Sequence, residues 1–479
     1  MFRGLTLQSL IAFVGAFAFA SVPAVAFAHG FGQRIDLPLP LYIYLFGAGA
    51  VVMLSFILLA LASRRFSEML YAYPTFNLST QAWFRALSSR WVLTPVKFFF
   101  VAFFLVALAS GIWGDQNPAF NMLPTVVWIL FAVGVPFTSA FLGNIWAVIN
   151  PLKTLFEYVE ALLRRPVVLI KDGWPATWGV WPALILLFVF RWVENVSLDS
   201  AIPFPLAIFV LTYALVTFAG MALFGKETWL QKGDPFSVFF SFLSRFSITE
   251  ARTQENKTEV YLRPPAVGLL RGDADFSQTA FVLLMLSSVA ADGVLTTPIF
   301  QNAFSTLLSF GLPWSVVGTL GLAGLFAVFV FVYYGFSYLT RAVSGDTSPL
   351  ILVAQKFIYS LLPISIAYEV AHYLSILVVE GQRLIYLISD PFGRGWNLFG
   401  TANYDISYTV LNLKLLWNLQ VGLIIVGHVI AVIVAHAMAE RYFNDSRKAL
   451  ISQYPMLALM IFYSCLSLWI MAQPIIGIE

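Results

Sequence analysis

The sequence is poor in the residues that carry most soluble chemistry. One cysteine, Cys465, and four histidines stand in 479 residues, and Asp, Glu, Lys and Arg together make up 11%. Soluble domains carry about 25% charged residues, so this chain does not belong among them. A single cysteine excludes an intrachain disulfide and a thiolate metal cluster. Four histidines leave any metal site dependent on carboxylates or a chain terminus. There is no phosphate-binding Walker loop, no Gly-x-Ser-x-Gly elbow and no His-Glu-x-x-His helix, which removes ATP-driven pumps, α/β-hydrolase chemistry and zincin chemistry. No basic stripe interleaved with aromatics offers a nucleic-acid surface.

What is present is apolar. The chain is 60% hydrophobic, with 46 Phe and 14 Trp, and its mean hydropathy is +0.84. The composition predicts an all-α, polytopic transmembrane helix bundle in a lipid bilayer. The net charge of +3 says little about partners, because membrane proteins distribute Lys and Arg for orientation.

Residues 1–28 have the layout of a secretory signal peptide: Arg3, an apolar run from Leu10 to Ala20, Pro23, then Ala26-Phe27-Ala28. Cleavage after Ala28 would make His29 the first residue of a single mature domain, 29–479. A free α-amine and an imidazole on one residue can chelate a metal; His29 can equally begin an ordered cap. Retention of the signal as an anchor would leave the topology unchanged.

A helix needs about 20 apolar residues to span a bilayer. By that rule about ten spans follow: Leu41–Ser63, Pro95–Gly114, Leu123–Gly143, Trp178–Val196, Pro203–Gly225, Ser277–Ala291, Ser315–Thr340, Leu350–Val378, Leu415–His436 and Pro455–Gln473. The sixth is short, so a tilt, a break or continuation through Val294–Phe310 is expected there. Lys and Arg alternate between the connections. Arg64, Arg65, Arg85 and Arg90 stand in the first and none in the second, and the long loop 226–276 is rich in both. The segment Val379–Lys414 departs mildly, with Arg383, Arg394 and Lys414. The positive-inside rule then puts both mature termini on the periplasmic side of a bacterial inner membrane. Segments 152–163 and 236–246 are amphipathic and too short to span, and are expected to lie along the inner leaflet. Pro136, Pro182 and Pro363 predict kinks.

Ionisable residues inside apolar spans are costly and therefore candidate functional groups. Arg191 and Glu194 are three apart and can pair on one helix face. Asp292 precedes Gly293 and is expected to cap a new half-helix. Glu369 and His372 form a Glu-x-x-His pair on one face, an arrangement that helix bundles use for metals; one copy is too few for a di-iron site, and a hydrogen-bonded packing pair is the alternative. His428 and His436, eight apart, lie about 80° apart around their helix and cannot easily share one ion. His436 shares a face with Glu440.

Several segments carry a resemblance: HGFGQRIDLPLPLYIYLFGAGAVVMLSF from His29, GNIWAVINPLKTL from Gly143, KETWLQKGDPFSVFF from Lys226, ADGVLTTP from Ala291, AHYLSIL from Ala371, GHVIAVIVAH from Gly427 and SQYPMLALMIFYSCLSLW from Ser452. Over nearly the whole mature chain they resemble the bacterial membrane proteins of the fenitrothion hydrolase family. The resemblance implies hydrolysis of the aryl-ester bond of a small apolar organophosphorus triester, and assigns no catalytic residues. A divalent metal would supply both an activated water and charge stabilisation. His29, Asp292, Glu369 and His372 are the candidate ligands, with Asp292, Glu369 and His372 as candidate catalytic groups. Kinked helices and intramembrane histidines fit equally a transporter or channel for a solute or metal ion. A metal-handling or assembly factor of the envelope is the third reading. These readings separate on geometry: a closed outer pocket at Asp292, Glu369 and His372, or a polar path through to His436.

Overall fold

The computed structural model describes residues 28–30, 33–35, 39–61, 64–170, 173–254, 257–295, 297–443 and 445–472. The signal-peptide reading of 1–28 falls almost wholly outside them, as does the side chain of His29, whose backbone pairs with Arg34 in a short antiparallel hairpin.

Among the described residues the protein is a bundle with ten helices long and apolar enough to cross a membrane. They are α1 (Leu41–Ala60), α2 (Arg90–Trp113), α3 (Met122–Phe141), α4 (Ala176–Asn195), α5 (Pro203–Phe224), α6 (Phe276–Val294), α7 (Trp314–Ser344), α8 (Leu350–Leu387), α9 (Leu413–Tyr442) and α10 (Ser446–Met471). Ten traverses bring the start of α1 and the end of α10 to the same end of the bundle. That end also carries the ordered loop between α8 and α9 and is called the loop end. The opposite end carries a three-stranded antiparallel sheet of Phe76–Asn77, Lys257–Leu262 and Thr249–Gln254, and is called the sheet end.

Burial sorts the spans. In α6 and α8, 83% and 72% of the apolar window is buried, against 11% in α2. The first two are therefore the axis of the bundle, and α2 presents Phe98, Phe99 and Leu105 outward, as a lipid-facing helix does. Small residues let the axial helices close. A Cβ on Gly427 of α9 would stand 2.2 Å from Ala367 Cβ and 2.8 Å from the Pro363 carbonyl of α8. Only glycine admits that approach.

Local chemistry sets the helix ends. Asp275 caps α6 with a reciprocal box, its carboxylate accepting from the Gln278 N–H while Gln278 accepts from the Asp275 N–H. The middle of α3, Val126–Gly134, is wound as a π-helix just before Pro136. Proline lacks the N–H of an α ladder and so favours such a change of register.

Several expectations are corrected. Asp292 does not begin a half-helix: α6 runs on to Val294, and Thr297 caps the separate helix Pro298–Ser309, accepting from the Phe300 N–H. Proline at the first helical position, Pro298, suits Thr297 as the cap. The segment 236–246, expected to be an amphipathic helix too short to span, falls in the helix Pro235–Ser244, and Phe236, Val238, Phe239, Phe240, Phe242 and Leu243 are all buried against the rest of the protein. Its aromatic residues share one broad face, away from the less buried Ser237, Ser241 and Ser244, and Phe236 meets Phe131, Phe190 and Tyr213 edge-on. Pro182 lies in the first turn of the regular helix Trp181–Asn195, and Pro363 in the first turn after a 3-10 stretch, so both start helical segments. Pro95 and Pro455 also lie inside helices. The helix Pro151–Leu163 keeps the expected amphipathic form, with Glu157 paired to Lys97 and Glu160 to Lys226.

Candidate functional site

Four charged side chains meet near the loop end of the bundle axis. Arg191 stands about one turn before the C-terminal end of α4, which closes at Asn195. Its Nη1 donates to Glu194 Oε2 at 2.7 Å, the pair expected from the spacing of three. The same guanidinium reaches two further helices: Asp292 Oδ2 of α6 lies 4.0 Å from Nη1, and Glu369 Oε1 of α8 lies 3.9 Å from Nη2. Arg191 and Glu369 are each 3% exposed, Asp292 11% and Glu194 19%, so access to the cluster is on the Glu194–Asp292 side. Tyr373 of α8 donates its hydroxyl to Asp292 Oδ2.

The cluster has unused capacity. Among the described residues, Asp292 Oδ1, Glu369 Oε1 and Arg191 Nε are buried without a hydrogen-bond partner. Buried polar atoms are nearly always paired, and each exception costs roughly 1–3 kcal/mol, more when charged. Charge balance is also incomplete: three carboxylates face one guanidinium. The surplus requires a proton, a cation or a polarised ligand.

Gly293 brings the helices together here. A Cβ at that position would meet Ile470 Cγ2 of α10 at 2.3 Å and the Tyr368 hydroxyl at 2.7 Å. Below the cluster, Leu286, Phe329, Ile364, Leu466 and Ile470 enclose a cavity of about 20 Å³, with the unpartnered Tyr368 and Tyr463 hydroxyls in its wall. That is room for about one water.

His372 shares a helix face with Glu369, as its spacing requires, but its ring lies against aromatics. It is stacked on Tyr368 at 5.8 Å between centroids and edge-on to Tyr373 at 4.8 Å. Of the expected metal set, the side chain of His29 lies outside the described residues, and Asp292 and Glu369 both lie beside Arg191. Among the described residues no three His, Cys, Asp or Glu side chains are grouped to hold a metal ion, because Asp292 and Glu369 are arranged around Arg191. The other histidines form no continuation of the cluster. His428 Nδ1 bonds to Ile424 O of its own helix at 2.8 Å, and His436 Nδ1 bonds to Gln453 Oε1 of α10 at 3.0 Å. Glu440 meets the Ser446 hydroxyl at 3.4 Å.

Sequence spacing found Arg191–Glu194 and placed Asp292 and Glu369 at one depth. It did not join the two groups, and it missed Tyr368 and Tyr373. The one available signal was their position, either side of Glu369 and His372 in the sequence YEVAHY.

Comparison with protein-family models, with curated proteins and with solved structures finds no match for this chain.

Proposed function

We propose that the chain is a membrane-embedded hydrolase of apolar organophosphorus triesters, working at the Arg191 cluster with the loop end facing the periplasm. The substrate class rests on the sequence resemblance. The site rests on one observation: a buried guanidinium faced by two carboxylates, each of which has one buried oxygen, Asp292 Oδ1 and Glu369 Oε1, without a hydrogen-bond partner among the described residues. The apolar packing below the cluster and the separate engagement of His428 and His436 favour a closed end site over a through path.

In this reading Arg191 holds the phosphoryl oxygen, where negative charge grows in the transition state. Glu369 or Asp292 accepts a proton from water as the new P–O bond forms. The P–O(aryl) bond breaks and the aryl oxide departs toward the more exposed Asp292–Glu194 side. An apolar triester reaches such a site from the bilayer, and no step is routed through a metal.

The test is release of p-nitrophenol from a p-nitrophenyl phosphotriester by the protein in nanodiscs, with and without chelator. Release above that of protein-free nanodiscs, persisting in chelator and lost in Glu369→Gln, supports the reading. Absence of release by the wild type rejects it. Release abolished by chelator would return the His29-based metal set to consideration. Orientation is tested by alkaline phosphatase fusions, active at Asn117 and inactive at Lys257.

A transporter is the second reading, favoured by the surplus of carboxylates over Arg191, which a carried proton or cation would balance. Solute uptake by proteoliposomes driven by a proton gradient, with no triester turnover, would put it first.

A further inference from the structure

At the sheet end, remote from Arg191, the short helix Arg64–Tyr71 leans on the last turns of α9 and leaves a cavity of about 360 Å³ between them. Ser67, Glu68, Tyr71, Ala437, Glu440 and Arg441 line it. We propose that this cavity binds the headgroup of a zwitterionic aminophospholipid, with the ammonium on Glu440 and the phosphate at Arg441.

The floor calls for a donor. The Glu440 side chain belongs to a residue only 7% exposed, and its one hydrogen bond among the described residues is the long contact from Ser446. Ser67 Oγ, also in the wall, is buried and has no partner. Two oxygen acceptors lining one cavity suit an ammonium, which offers three N–H donors and a positive charge. The mouth has the opposite character. Arg441 is exposed there, with its guanidinium held 4.4 Å over the Tyr71 ring. A simple anion would meet Glu440 at depth, and a simple cation would meet Arg441 at the rim. A molecule with a terminal ammonium and a phosphate one short linker away satisfies both.

The location selects a lipid as the source. The cavity sits at the end of α9, beside the chain that follows α1, and both helices are apolar enough to cross a membrane. Leu61 and Met69 beside it are 81% and 65% exposed, an apolar track on which acyl chains can lie. This site is independent of the hydrolase reading, and neither experiment bears on the other.

Native mass spectrometry of delipidated protein with equimolar phosphatidylethanolamine, phosphatidylglycerol and phosphatidylcholine tests it. Phosphatidylethanolamine should be retained preferentially. Glu440→Gln, which keeps shape and removes the charge, should lower that retention about tenfold, the scale of one charge-assisted hydrogen bond. Ser67→Val should lower it without changing the thermal midpoint. Equal retention of the three lipids, or unchanged selectivity in Glu440→Gln, overturns the proposal. Free phosphoethanolamine should compete weakly; if it displaces the lipid fully at equal concentration, the site is for a soluble ligand and the lipid assignment falls.

Discussion

Two arginine–carboxylate networks sit at opposite ends of this bundle, and they are built on opposite ratios. At the sheet end one carboxylate, Glu250, is met by three arginines and a tyrosine. Arg252 Nε donates at 3.0 Å, Tyr73 donates at 2.9 Å, Arg263 Nη1 lies at 3.4 Å, and Arg271 also pairs with it. Arg263 spends its remaining donors on the carbonyls of Ser247, Ser244 and Arg245. Neither Glu250 nor Arg263 leaves a buried side-chain atom unpaired among the described residues. This network ties the sheet to the helix Pro235–Ser244 and acts as a staple. At the loop end the ratio is inverted, and three buried atoms of the cluster are left over. A network that is only structural tends to satisfy its members; one that must receive a ligand keeps capacity in reserve, at a cost in stability.

The largest expected effect is at Arg191. Arg191→Gln leaves three carboxylates without their cation in a buried setting, which is expected to cost about 3–5 kcal/mol. The thermal midpoint in detergent should fall steeply, with loss of all activity. Removing the lone carboxylate of the staple, Glu250→Gln, should cost less, because its arginines can turn to water. Equal losses in the two variants would erase the contrast.

Next come the surplus carboxylates. Glu369→Gln and Asp292→Asn remove unbalanced charge, so the thermal midpoint should stay level or rise while triester hydrolysis falls roughly 100-fold or more, the range for loss of a general base. A fall in midpoint matching that of Arg191→Gln would make the cluster a staple like the other one.

The staple should also answer to pH. Burial raises the Glu250 carboxyl, but hydrogen bonds from Arg252 and Tyr73 and the charges of Arg271 and Arg252 outweigh it and hold the group below its ordinary value of 4.5. A lowered carboxyl contributes stability that is fully present above 4.5 and is lost as pH falls through the folded value. Melting between pH 6 and pH 3 should show a drop that Glu250→Gln lacks; identical drops in both proteins would remove Glu250 as its source.

The smallest effect is expected at His436. His436→Ala breaks one hydrogen bond, to Gln453, worth about 1 kcal/mol. Triester hydrolysis should be unchanged. A large loss would connect the two ends of the bundle and favour the transporter.

The sequence by itself determined the ten spans and their alternation, because length and hydropathy are local properties and a bilayer imposes a fixed thickness. It also determined the pairing of Arg191 with Glu194, since a spacing of three is fixed by helix geometry. The amphipathic form of Pro151–Leu163 was legible, because its charges fall on one face, whereas the burial of Pro235–Ser244 was not, because its aromatic face is met by Phe131 and Phe190 from helices far away in the sequence. The helix start at Thr297 rather than Asp292 turned on the following proline, a local cue outweighed by the stronger capping reputation of aspartate. Only the tertiary structure decided that Asp292 and Glu369 face Arg191 rather than a shared metal position. Those contacts join helices 101 and 178 residues apart from Arg191 in the chain (292 − 191 and 369 − 191). Which faces meet across such separations is set by how the helices rotate and close on small residues such as Gly293 and Gly427, and helical periodicity says nothing about that rotation.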